Sequence, residues 1–173
     1  MDILEDRDEW NHEFEQNWLK HFQETAEINW KTYNPPRNQI APEGKAIDLS
    51  KSRLILISTA GGYLKDSQDP FDASNLLGDY SIRTFPSNTP LNQLAFAHEH
   101  YDRTAVNEDA QVLVPLRHLE SLVEEGVIGE ISPSVISFMG YQPNVIRVLD
   151  DMIPLIRDVV KKEQVQGALL VPA

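Results

Sequence analysis

Five consecutive residues, His98, Glu99, His100, Tyr101 and Asp102, form the densest polar cluster of the chain and follow directly on the apolar run 94–97. Imidazole titrates near neutral pH, so His98 or His100 can hold a proton or orient a substrate carboxylate. If the run is a strand whose pleat continues, His98, His100 and Asp102 emerge on one face. The same three types can also ligate a metal, or the histidines can serve only as hydrogen-bonded groups at a strand end. These alternatives stand together at this level.

A ligand-binding cluster needs a sheet to present it. In an open α/β sheet, ligands bind outside the carboxyl ends of the strands. Two apolar runs, 53–59 and 135–139, end in Ala60-Gly61-Gly62 and in Gly140. We therefore expect His98, His100 and Asp102 to line a pocket with Gly61, Gly62, Ser137 and Gly140. The double glycine is not a G-x-G-x-x-G and lacks the lysine of a phosphate loop, so it carries no nucleotide signature. It serves equally as a tight exit from a buried strand.

The remaining pattern supplies the elements. Run 53–59 is apolar nearly throughout, as in a strand covered on both faces. Segment 65–79 reads as surface loop with one helical turn, and 79–85 as a short strand ended by Pro86. Pro115 starts a helix whose face is Leu116, Leu119, Leu122 and Val123, closed by Gly126, with His118 outside. Residues 144–162 alternate as a helix, kinked or split near Asp150 by Pro154. A buried-type strand at 166–172 comes last. This order predicts an α/β fold: an open, largely parallel, doubly wound sheet with flanking helices.

Ahead of it lies an aromatic helix over 8–30. Trp10, Phe14, Trp18, Phe22, Ala26 and Trp30 recur every four residues, so the stripe wraps slowly around the axis. It packs against the body, or serves as a dimer contact. We expect a single domain over 1–173, with 1–34 a helical arm and 52–173 the core.

Composition bounds the function. A net charge of −12 argues against a nucleic-acid backbone as partner. No window approaches the ~20 apolar residues of a membrane span. The N-terminus has neither the basic nor the apolar region of a secretory signal, so the cytoplasm is the expected compartment. There is no cysteine, hence no thiolate nucleophile and no thiolate metal site.

Two resemblances sharpen these readings. His98-x-His100-x-Asp102 resembles the first metal motif of metallo-β-lactamase-like hydrolases. That motif continues with a histidine where Arg103 stands, and the only later histidine is His118, inside a predicted helix. No metal site is therefore expected. The second resemblance extends from Leu54 to Ala173. STAGGYLK, DPFD, GDYSIRTFPSNTP, HEHYDRTAVNED, VPLRHLESLVEEGVIGEISP and SFMG, in this order and spacing, resemble the selenoprotein B family of glycine, sarcosine, betaine and D-proline reductases.

The resemblance implies an α/β sheet, and reductive C–N cleavage by a selenocysteine or cysteine that attacks the substrate α-carbon. A pyruvoyl-bearing partner subunit activates the amine in several members. The family nucleophile follows a strand that ends like Leu169-Leu170-Val171-Pro172-Ala173, and here no residue follows. The expectation is a chain ended at a selenocysteine codon, or a degenerate relative, with no reductase activity alone and no cofactor of its own. Three function classes stay open: a reductase fragment, a non-catalytic binding or scaffold protein, and a metal-dependent hydrolase using His98, His100 and Asp102.

Overall fold

The N-terminal aromatic stripe forms one continuous helical arm: α1 (Arg7–Phe14), a wide π turn (Glu15–Leu19) and α2 (Lys20–Thr25). The expectation that the stripe wraps does not hold. Each four-residue step overshoots an α-helical turn by about 40°, but the π turn unwinds the helix where the overshoot accumulates. The rings of Trp10, Phe14, Trp18 and Phe22 consequently stay face to face, at successive centroid distances of 5.1, 5.4 and 6.1 Å. The helix also stops short of Trp30, because Ala26 turns left-handed (φ 57°). Trp30 rejoins the stack from a 3-10 turn, 5.6 Å from Trp18. The structure, a computed structural model, describes residues 3–41, 43–99 and 101–173. His100 lies outside the described residues.

The core elements follow in order. They are β1 (Arg53–Ser58), β2 (Gly62–Leu64), β3 (Arg83–Pro86), β4 (Leu94–Phe96), α3 (Thr104–Glu108), α4 (Leu116–Glu124), β5 (Glu130–Ile131), β6 (Ser134–Ser137), α5 (Val145–Arg147), a second π turn (Val148–Met152), α6 (Ile153–Lys162) and β7 (Gly167–Val171). β1 is central and pairs parallel with β5, β6 and β7; β3 pairs antiparallel with β6. β7 runs along one edge of β1 over five residues, so β5 and β6 share the other edge, at opposite ends of β1. The sheet is open and mostly parallel, with helices on both faces.

The alternation of β1 assigns its faces. Leu54 and Leu56 enter a core with Leu116 and Leu119 of α4 and Val106 of α3. Ile55 and Ile57 pack with Ile136 against Ile156, Val159 and Val160 of α6. Burying each of these aliphatic side chains contributes about 1.5–3 kcal/mol. The arm adds a third cluster, in which Trp10, Phe14 and Trp18 meet Tyr33, Val145 and Ile146. Of the aromatic rings that suggested a dimer contact, Trp10, Phe14 and Trp18 are buried within the chain, Phe22 is half-buried and Trp30 is 51% exposed.

Three sequence expectations shift. Residues 79–82 are not strand, because Asp79 accepts from Ser81 N and Oγ and from Asp72 N and closes a turn. Pro154 distorts its helix without ending it: a π turn over Val148–Met152, which includes Asp150, directly precedes α6, and the helix runs on. The run at 94–97 is a strand but leaves the main sheet, pairing antiparallel with β2 in a two-stranded ribbon.

Candidate functional site

The ribbon is fastened to the sheet by the double glycine. Gly61 adopts φ +66°, and a Cβ there would lie 2.4 Å from the Ala97 carbonyl oxygen, so only glycine lets the two backbones meet. Ala97 N donates to Gly61 O at 3.0 Å, and Gly61 N donates to Phe138 O at 2.9 Å. Gly62 N donates to Ser137 Oγ at 2.8 Å. β4 therefore ends against the exit of β6, and the residue delivered there is His98, only 3% exposed.

Strand ends converge beneath it. Gly140 N donates to Thr59 O at 3.1 Å, and Thr59 N donates to Val171 O at 3.0 Å. Ala173 N donates to Thr59 Oγ1 at 2.8 Å. A Cβ on Gly140 would lie 3.2 Å from Thr59 Oγ1 and 3.7 Å from His98 Nε2, so the exposed Gly140 backbone separates a hydroxyl from an imidazole. The carboxyl ends of β1, β6 and β7 thus meet at Thr59, with His98 beside them.

Tyr101 braces the histidine. Its ring centroid is 4.6 Å from that of His98, and its hydroxyl donates to Ala60 O at 3.0 Å. Burial pushes the Tyr101 phenol above its ordinary value, which keeps it a donor at neutral pH. Arg103 Nη1 donates to Phe96 O at 3.1 Å and ties the same loop to the ribbon.

The expected residues separate into three groups. His98 and Gly140 stand together at the strand ends. Gly61, Gly62 and the fully buried Ser137 form the seam below, where the Ser137 hydroxyl holds the Gly62 amide. Asp102 points elsewhere: it is exposed and accepts from Thr104 N (2.9 Å) and Oγ1 (2.7 Å). The Thr104 hydroxyl leads among the hydrogen bonds that hold its carboxyl below the usual range. A continuing pleat would have placed His98 and Asp102 on one face, but the strand stops at Phe96. Among the described residues, no three His, Asp or Glu side chains converge as a metal-ligand set.

Sequence reasoning missed Thr59. Its signal was present, since it directly follows the last residue of β1, where an open sheet places ligands. Imidazole, hydroxyl and bare glycine backbone stand side by side here.

The sequence profile of the glycine/sarcosine/betaine reductase selenoprotein B family matches residues 22–173, beginning ahead of the motif-bearing region at Leu54. The D-proline reductase subunit gamma of Acetoanaerobium sticklandii is 29% identical over 123 residues, covering 71% of this chain and 49% of that protein. The sarcosine reductase complex component B subunit beta of Peptoclostridium acidaminophilum is 29% identical over 108 residues, 61% of this chain and 24% of the relative. The glycine reductase complex component B subunit gamma of the same organism is 32% identical over 100 residues, 56% and 22%. The matched segments thus span half or less of these curated relatives. No solved structure matches. No helix among the described residues is long and apolar enough to cross a membrane. With the profile running through β1, the ribbon, the His98 loop and β7, the chain belongs to the glycine/sarcosine/betaine reductase selenoprotein B family.

Proposed function

We propose that these residues form the substrate-positioning part of an amino-acid reductase, while its redox nucleophile comes from outside the 173 residues. The observation that carries this reading is the convergence of β1, β6 and β7 on Thr59, with Ala173 N bonded to its hydroxyl and His98 and Gly140 adjacent. A strand ending like Leu169–Ala173 precedes the nucleophile in the family pattern, and this end sits against the site. The ligand is a small amino acid or N-substituted derivative of the glycine, sarcosine, betaine or D-proline type. His98 holds its carboxylate or a proton, and Thr59 and the Gly140 backbone bound it from below.

The chemistry itself needs a selenolate or thiolate, since a hydroxyl neither attacks a saturated carbon well nor cycles through a diselenide or selenenyl sulfide. These residues contain no cysteine. A subunit bearing a pyruvoyl group is the expected partner for amine activation. Residues 52–173 act as the core and 1–34 as a covering arm.

Calorimetric titration with glycine, sarcosine, betaine and D-proline tests the reading. Binding of at least one, weakened in His98→Ala, is the expected result; no binding by any of them overturns it. Reductive turnover with dithiol by the 173 residues alone would refute the assignment of the nucleophile elsewhere. The missing cysteine also favours a second reading, a binding module without redox chemistry. That reading predicts ligand binding but no turnover even when a cysteine is appended after Ala173.

A further inference from the structure

We propose that Tyr33 is a positioning residue of the strand-end site, through which the aromatic arm holds the Gly140 backbone beside His98 and Thr59. This role rests on the ligand site proposed above. The Tyr33 ring stands edge-on to Trp10, Phe14, Trp18 and Trp30, at centroid distances of 6.4, 6.3, 6.1 and 5.4 Å. Four rings at steep angles fix the plane of the fifth. Its hydroxyl is thereby aimed out of the arm, and it donates to Pro143 O at 3.1 Å. Burial pushes the phenol above its ordinary value, so it stays a donor at neutral pH. A phenylalanine would fill the same space and reach nothing.

The chain between Pro143 and Gly140 has no slack. Gly140 N donates to Thr59 O at 3.1 Å. Tyr141 sets its ring edge-on to Trp30 at 6.0 Å and donates its hydroxyl to Leu76 O at 2.9 Å. Gln142 Nε2 donates to Asp79 O at 3.3 Å, and Asn144 N donates to Tyr80 Oη at 2.8 Å. Val145 and Ile146 then pack into the arm's own cluster. Segment 140–146 is therefore a strap, pinned to the sheet at one end and to the arm at the other.

Gly140 has no side chain to pack, so its place is set by what its neighbours are bonded to. A Cβ there would lie 3.2 Å from Thr59 Oγ1 and 3.7 Å from His98 Nε2, and a small shift of the strap changes the space between hydroxyl and imidazole. Trp10, Phe14 and Trp18 all precede residue 22, where the family profile begins. The positioning of a matched loop thus draws on residues outside the match.

Tyr33→Phe in the full chain tests the proposal, since it keeps the ring and removes only the hydroxyl. Two readouts need no ligand: the NMR chemical shifts of the Gly140 amide and of the His98 imidazole, the latter assigned with His98→Gln. Both should move while the Leu56 amide, deep in β1, stays in place; a loss of stability alone moves neither. Titration with glycine, sarcosine, betaine and D-proline should show about two- to tenfold weaker binding of whichever ligand the unaltered chain takes. Unmoved Gly140 and His98 signals overturn the proposal whatever binds. Signals that move while none of the four ligands binds either chain uphold the coupling and sink the ligand site instead. Equal shifts in Phe22→Ala, which trims the Trp18 stack and leaves the hydroxyl in place, would trace them to a looser arm and overturn the role of Tyr33.

Discussion

Replacing Gly61 with alanine isolates the contact that brings the ribbon to the sheet, provided Gly126→Ala is measured beside it. Both glycines have positive φ, +66° and +73°. Placing an L-residue in that region costs about 1–2 kcal/mol. At Gly126 nothing lies within 4 Å of the added Cβ, so that cost is the whole effect. At Gly61 the Cβ falls 2.4 Å from the Ala97 carbonyl oxygen and 3.4 Å from the Met139 side chain. The nearer neighbour is backbone and cannot swing aside. Overpacking adds about 1–3 kcal/mol, for a total of about 2–5 kcal/mol. At about 2–4 °C per kcal/mol for a chain of this size, Gly61→Ala should melt several degrees below Gly126→Ala. Urea unfolding with unchanged slope would assign the difference to the native contact. Ligand binding should fall in Gly61→Ala, where the ribbon carrying His98 is displaced, and persist in Gly126→Ala. Equal midpoints for the two variants would refute the reasoning.

Trp18→Ala removes a side chain that is 1% exposed and stacked on Phe14 and Phe22; a loss of about 3–5 kcal/mol is expected by denaturant titration. Ala26→Gly relieves the left-handed φ at the end of α2 and should raise stability by about 1 kcal/mol in the same assay. Burial pushes the Glu163 carboxyl up, but hydrogen bonds from Ser132 and Ser134 outweigh it and hold it below the ordinary carboxylate range. Its folded-state pKa is depressed, so its contribution is present above the unfolded value and lost as pH falls through the folded one. Glu163→Gln should therefore lower stability at neutral pH and flatten the acid side of the pH profile; an unchanged acid limb counts against it. Thr59→Val removes the acceptor for Ala173 N, and amide exchange at Ala173 should quicken while the melting temperature moves little.

The fold was legible where period and burial agree. β1, β6, α4 and the helix over 144–162 each carry an unbroken apolar pattern, and the structure keeps them. Glu130-Ile131 carries too short a pattern to read, and becomes a strand because β1 offers it a free edge. Gly62-Tyr63-Leu64 looks like loop, since its partner is Leu94–Phe96, thirty residues away in sequence. The π turns leave no local signature beyond Pro154 in one case and the strict fourfold repeat in the other. Strand-end logic brought His98, Gly140 and the glycine seam to the same end of the sheet. It placed Asp102 with His98 because it let the pleat run on past Phe96, and it passed over Thr59, whose hydroxyl has no conspicuous motif around it.

The break between β5 and β6 has a consequence for which length changes this sheet can accept. Arg53 faces Glu130, while Ile57 faces Ile136, so β6 sits two residues further along than an unbroken strand would. Glu163 fixes the break by accepting from the Ser132 and Ser134 hydroxyls and from Ser134 N. Two is an even number, and side chains alternate, so Val135 and Ile136 keep the faces that an uninterrupted strand would have given them. Homologues that lengthen or shorten this corner by an even count can preserve the layers. A change of one residue would turn Ile136 from the α6 side to the opposite core. It would also shift Gly140 by one position against Thr59, so the strand-end geometry constrains insertions and deletions far from any residue that touches a ligand.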